Sequence, residues 1–159
     1  MIVDGKSIAQ DLKRTLAEKV AGLGEQLSLG IIIVKEDPQI RQFVMYKEQF
    51  GAEIGVKVEV IRMDSMEQQE DILLHHILHG GRDHHGLIMQ LPIPESYNLD
   101  DVLNLYPMSV DVDVLGNMAY QQFIEHNLPF LPPVVGAFEE IINRNKVRLG
   151  GANVVVAGE

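Results

Sequence analysis

Gly86-Leu87-Ile88-Met89-Gln90-Leu91-Pro92-Ile93-Pro94 decides the reading of the fold. From Gly86 to Leu91 the run is apolar apart from one amide and shows no polar alternation. That pattern predicts a strand buried on both faces, as in a parallel sheet. Pro92 and Pro94 end it, because proline has no N–H for a sheet ladder. Gln90 stands near the carboxyl end of this strand, where a polar group must find a partner or face a ligand. An amide tying down the next loop is an equally good reading of the same residue.

Working outward, the apolar period switches between that of strands and that of helices. Leu27 to Val34 is a second short apolar run, rich in β-branched residues, and predicts another doubly buried strand. Val56 to Met63 alternates apolar with charged or polar side chains, as a half-exposed strand does. Ser7 with Gln10 reads as a capping box for a helix carrying Ile8, Leu12, Leu16, Val20 and Leu23, stopped by Gly24. After a Lys35-Glu36-Asp37-Pro38 turn, Ile40 to Gly55 returns to helical spacing, and Ser65 with Gln68 caps a helix running to His79. Asp101 to Leu105 and, after the Pro129 to Pro133 loop, Val135 to Asn145 are further helices, and Asn153 to Ala157 a further strand. Strands alternating with helices predict an α/β fold: a parallel-sheet three-layer domain with helices on both faces and ligands at the carboxyl ends of the strands.

The 159 residues, 46% hydrophobic and 23% charged, suffice for a packed core and suit one domain plus the start of another. There is neither an apolar run of about twenty residues nor a basic-then-apolar leader, so the expected location is the cytoplasm, with no membrane association. The absence of cysteine excludes a disulfide scaffold, a thiolate nucleophile and a thiolate zinc site. A formal charge of −10 opposes the counterion release that nucleic acids reward, so no nucleic-acid partner is expected. An anionic ligand would have to be held by a local cation such as Lys47.

Phe43 and Lys47, four residues apart, share one face of the predicted helix. Alone, the pair fits a solvated lysine beside a core phenylalanine better than a ligand site. Asp111 and Asp113 alternate with valines, which puts both carboxylates on one side of an extended segment; turn or helix-capping aspartates fit as well. His75 and His79 are one helical turn apart and His84-His85 follow, yet no acidic partner stands at ligand spacing, so no metal site is expected.

Taken together, four segments resemble the bifunctional methylenetetrahydrofolate dehydrogenase/cyclohydrolase family, often called the FolD family. Ile2-Val3-Asp4-Gly5-Lys6-Ser7-Ile8-Ala9 is similar to its leading IDGKxIA, and Phe43-Val44-Met45-Tyr46-Lys47, with Gly55 beyond, to its YVxxK helix. Gly86 to Pro94 is similar to GILVQLPLP, the most specific of the four, and Asp111-Val112-Asp113 to the centre of KDVDG. Their order and spacing agree and span nearly the whole chain.

The resemblance implies catalytic roles for Lys47 as base, Gln90 as its helper and Asp113 as the pterin anchor. It implies a substrate-binding set of Phe43, Lys47, Gln90, Leu91, Pro92, Asp113 and Gly136. There are departures. The family's stacking tyrosine is Phe43, the glycine after the aspartates is Val114, the lysine before them is Val110, and Leu131-Pro132-Pro133-Val134-Val135-Gly136 stands in place of PCTPxG. Val155-Val156-Ala157-Gly158-Glu159 resembles the first strand of the family's cofactor domain. The implied division is a folate-binding catalytic domain over 1–145 and the start of a truncated NAD(P)-binding Rossmann domain over 146–159.

As a family member, the chain would bind tetrahydrofolate derivatives and, at full length, form a homodimer. NADP would be bound by the missing C-terminal domain and by no residue of this chain. The implied chemistry is oxidation of 5,10-methylenetetrahydrofolate to the methenyl form, then hydrolysis to 10-formyltetrahydrofolate. Hydride transfer needs positioning against a nicotinamide, and hydrolysis needs a base, which a lysine can be if desolvation and the cationic substrate keep its amine neutral. The alternatives are a non-catalytic folate-binding relative and a dimerisation fragment.

Overall fold

The computed structural model describes residues 2–63 and 70–157. The first helix, α1 (Gly5–Gly22), is capped by Asp4, whose carboxylate accepts from the Ser7 N–H at 3.1 Å. Ser7 therefore lies inside the helix rather than capping it. An ionised side chain is a strong acceptor for the orphan N–H groups at the positive end of a helix, and here it displaces the hydroxyl. Strand β1 (Ser28–Ile33) follows.

Helix α2 (Pro38–Ile54) starts two residues before Ile40, because Asp37 accepts from the Ile40 N–H at 2.8 Å and Pro38 fits the first turn, where no N–H is needed. It ends at Gly55, whose φ of 82° suits a residue without Cβ. Strand β2 (Lys57–Arg62) comes next, then α3 (Glu70–Asp83) and β3 (Gly86–Gln90). The expected Ser65 and Gln68 cap lies outside the described residues. Helix α3 runs past His79 through two glycines. At Gly80 a Cβ would come within 2.9 Å of Leu87 Cδ1, so that glycine serves close packing and not termination. Helices α4 (Leu99–Leu105), α5 (Asn117–Ile124) and α6 (Pro133–Arg144) complete the order.

The sheet is parallel, in the order β2-β1-β3, with Ile31 opposite both Val60 and Ile88, and Ile33 opposite Gln90. Alternate residues of β1 feed two cores. Ile31 and Ile33 pack with Ile40 and Val44 of α2, while Ile32 and Val34 pack with Leu73 and Ile77 of α3 and Val102 of α4. Each such side chain contributes about 1.5–3 kcal/mol by leaving water. Helices thus cover both faces, giving the three layers the sequence predicts. Strand β2 is the half-exposed edge, with Lys57, Glu59 and Arg62 outward.

Three expectations are corrected. Helix α5 was not foreseen: its buried anchor is a single alanine, Ala119, too small to announce a helical stripe. Helix α4 begins at Leu99 and α6 at Pro133, each two residues early. Asn153 to Ala157 forms no strand, and Val155 and Val156 are 89% and 90% exposed. A doubly buried strand needs a neighbour to pair with, and among the described residues these have none.

From β1 the chain winds through α2 to β2, then returns across β1 through α3 to β3. The direction of winding reverses between β1 and β3. A crevice opens at the carboxyl ends of strands on either side of such a reversal, so the fold directs attention to the loops after Ile33 and Gln90.

Candidate functional site

Lys47 enters from α2, the helix that follows β1, and Gln90 ends β3. Lys47 Nζ donates to Gln90 Oε1 at 2.9 Å, and the other end of the amide, Nε2, donates to the Leu91 carbonyl at 3.0 Å. One residue satisfies both sequence readings: Gln90 ties down its loop and holds the lysine. Both side chains are half-buried. Phe43, one turn before Lys47, is 59% exposed and offers its ring to an open face. Leu91 and Pro92 follow Gln90 and are exposed beside it.

Asp113 arrives from the other side. Residues 110–112 run alongside β3: the Leu87 N–H donates to the Val110 carbonyl at 2.7 Å, and Leu87 pairs in parallel with Asp111. The backbone then turns instead of staying extended, and the two aspartates part. Asp111 is 1% exposed and accepts from the backbone N–H groups of Leu115 and Gly116, whereas Asp113 is half-buried within range of the Lys47 charge. This corrects the expectation that both carboxylates share one side. Burial pushes the Asp113 carboxyl above its ordinary value, the ammonium of Lys47 pulls it down, and the charge of Asp111 adds to the rise. The Tyr106 phenol, buried at the end of α4, is pushed far above its ordinary value by burial and then by Asp111 and Asp113.

Lys47, Gln90 and Asp113 are therefore brought together, with Phe43, Leu91 and Pro92 at the margin. Gly136 lies in the first turns of α6, where its N–H donates to the Pro132 carbonyl at 2.9 Å and the nearest atom to a built Cβ is in Leu131. No hydrogen bond links it to the cluster.

The sequence reading gave Asp111 no role beyond a possible turn or cap. The usable signal was the glycine five residues on, Gly116, where a Cβ would come within 3.2 Å of Asp111 Oδ2. The departure at Val114 also acquires a meaning, because its φ is 57°, in the left-handed region where glycine is at ease and valine is not.

The cluster is an open face. A hollow of about 540 Å³ lies between α1 and the end of α2, away from Lys47. A second, of about 450 Å³, is lined by His75, His76, His79 and His84. There His75 and His79 stack with ring centroids 4.1 Å apart, and His84 Nε2 lies 3.8 Å from Glu59. Among the described residues no three His, Cys, Asp or Glu side chains are grouped to hold a metal ion. No helix among them is long and apolar enough to cross a membrane.

Comparison with known proteins bears on this geometry. The family described as tetrahydrofolate dehydrogenase/cyclohydrolase, catalytic domain, matches residues 3–113. A bifunctional protein FolD from Exiguobacterium sibiricum is 31% identical over 99% of this chain and 58% of its own length. The crystal structure of a bifunctional FolD methylenetetrahydrofolate dehydrogenase/cyclohydrolase from Campylobacter jejuni superposes with a TM-score of 0.81 at 25% identity, covering 91% of this chain and 53% of that one. The Trypanosoma brucei enzyme, solved with NADP and an inhibitor, shares the fold at a TM-score of 0.82 and 21% identity, over 92% of this chain and 52% of its own. The chain thus spans little more than half the length of these relatives.

Proposed function

We propose that this chain, which belongs to the tetrahydrofolate dehydrogenase/cyclohydrolase family, is the folate-handling part of an enzyme of one-carbon metabolism. The whole protein oxidises 5,10-methylenetetrahydrofolate to the methenyl form with NADP and hydrolyses that to 10-formyltetrahydrofolate. The observation that carries the reading is the Lys47–Gln90 hydrogen bond at the carboxyl end of β3, facing Asp113.

In the hydrolysis, the Gln90 amide orients the Lys47 amine toward a water at the cationic bridging carbon. The water oxygen adds to that carbon, Lys47 takes a proton, and the proton then reaches the ring nitrogen as its bond to the carbon breaks. The reaction releases one proton overall. Asp113 accepts hydrogen bonds from the amino and ring N–H donors of the pterin, and a carboxylate that is half-buried makes them in a setting poorer in competing water. Phe43 offers a ring for stacking, and Leu91 and Pro92 form an apolar edge. Gly136 lets the α6 turn come close to the substrate.

NADP supplies the hydride acceptor for the oxidation. One ammonium and one carboxylate are ill-suited to a dinucleotide's phosphates, so this cluster does not hold it and the hydrolysis proceeds without it. We assign residues 1–145 to the catalytic domain and 146–159 to the start of an NAD(P)-binding Rossmann domain; the unpaired, exposed Val154, Val155 and Val156 suit a strand completed by further chain. A cytoplasmic setting agrees with the lack of cysteine, and a homodimer rests on the family resemblance.

The open Phe43, which lacks a hydroxyl, favours one second reading, a folate-binding relative without catalysis. Hydrolysis of methenyltetrahydrofolate above its spontaneous rate decides between them. Reduced-folate binding without hydrolysis would leave only the second.

A further inference from the structure

Among the described residues Asp111 is the one buried charged side chain, and both of its oxygens are engaged on the same turn. Oδ1 accepts from the Leu115 N–H at 3.1 Å and Oδ2 from the Gly116 N–H at 2.7 Å. Between donors and acceptor lies Val114, held at φ 57°. A β-branched residue in that region is strained and persists only where its surroundings over-determine it. The two charge-assisted hydrogen bonds that Asp111 accepts are what over-determines it here.

The upstream end of the same turn is fastened to β3 through Leu87 and Val110 at 2.7 Å. Asp113 is thus the middle of a loop closed at both ends.

We propose that Asp111 is a positioning residue for the site: its carboxylate locks a strained turn so that Asp113 is presented to Lys47 and to the pterin of a bound folate. The ligand in this statement rests on the function proposed above, whereas the lock itself does not. The charged and titratable groups facing Asp113 are Lys47 from α2, Asp111 from its own turn and the Tyr106 phenol from the end of α4. Of these, Asp111 both shapes the turn and opposes ionisation of Asp113.

The test is Asp111→Asn. The amide keeps one acceptor but loses the charge and the second acceptor. Two readings separate positioning from a merely structural role. In the ligand-free chain, the Asp113 carboxyl is titrated by carbon NMR, and its midpoint should move to lower pH once the Asp111 charge is gone. Binding of 5-formyltetrahydrofolate, measured above the midpoints of both proteins, should weaken on the order of ten-fold, as expected when a charge-assisted hydrogen bond is lost. Val114→Gly added to Asp111→Asn removes the left-handed strain and should recover part of that affinity. It also provides a folded variant for the same readings should Asp111→Asn alone not fold.

An unmoved Asp113 midpoint, or an affinity within two-fold of the parent, overturns the proposal. If the parent binds no reduced folate, the proposed function fails, and the carboxyl titration still decides whether Asp111 governs Asp113.

Discussion

Lys47 on α2 and Gln90 at the end of β3, 43 residues apart in sequence, are joined by a 2.9 Å hydrogen bond in which the lysine donates to the amide oxygen. The bond aims a titratable amine at the edge of the crevice where the winding of the sheet reverses. If Lys47 is the general base, Lys47→Arg keeps the positive charge but cannot take a proton, since a guanidinium stays protonated at any working pH. Hydrolysis of methenyltetrahydrofolate, corrected for the spontaneous reaction, should fall by about a hundred- to ten-thousand-fold. Affinity for a folate analogue should stay within a few-fold. Retained hydrolysis would remove Lys47 from the chemistry.

Phe43 stands one turn before Lys47 with its ring 59% exposed, so an added hydroxyl meets no packed neighbour there. Stacking needs the ring alone, whereas orienting the amine benefits from a hydrogen-bonding group. Phe43→Tyr should therefore raise the hydrolysis rate more than it changes folate affinity. Equal or lower turnover would mean that Gln90 already does the orienting.

Asp113 carries its own signature in stability. Its folded value lies above the ordinary 3.8, chiefly because of burial. In the window between those two values the native state binds more protons than the unfolded chain, so stability falls as pH rises through it, and the deficit persists to neutrality. Asp113→Asn removes the deficit. Its melting temperature should exceed that of the parent near neutral pH, and the difference should shrink below the unfolded value. A variant that is less stable at neutral pH would show that Asp113 is held by contacts outweighing its desolvation.

The placement of α2 depends on a close approach. At Gly51 a Cβ would lie 2.3 Å from Val58 Cγ2 and 3.2 Å from the Val56 carbonyl oxygen, so Gly51→Ala must push α2 off β2. The expected loss is about 1–3 kcal/mol in urea unfolding. Gly22→Ala, where nothing lies within 4 Å, serves as the control and should be neutral or gain up to about 1 kcal/mol. A Gly51→Ala variant as stable as the parent would contradict the close approach, because helix propensity by itself favours alanine over glycine.

Much of this was legible in the sequence where period and chemistry coincide. The apolar run ending in Gln90-Leu91-Pro92 gave a doubly buried strand with one amide at its tip, and the 3.6-residue spacing of α2 put Phe43 and Lys47 on a common face. What escaped depends on contacts remote in sequence or on backbone angles. Asp4 outbid Ser7 as a cap because a carboxylate suits the positive end of a helix, and a pattern of residue types does not rank two adjacent candidates. The Asp111–Gly116 lock, and the left-handed Val114 inside it, turned an apparently extended DVDV segment into a loop. Asn153 to Ala157 has the composition of a strand, but a strand needs a partner, and composition carries no information about one.

The most direct test of the central claim, that Lys47, Gln90 and Asp113 form a reduced-folate site, is calorimetric titration of the chain with 5-formyltetrahydrofolate beside Asp113→Asn. The account predicts saturable binding to one site in the parent. In the variant it predicts affinity lower by at least about ten-fold, the scale of a lost charge-assisted contact, with the fold intact by circular dichroism. Absence of saturable binding in the parent, or equal affinity in the two proteins, would contradict it.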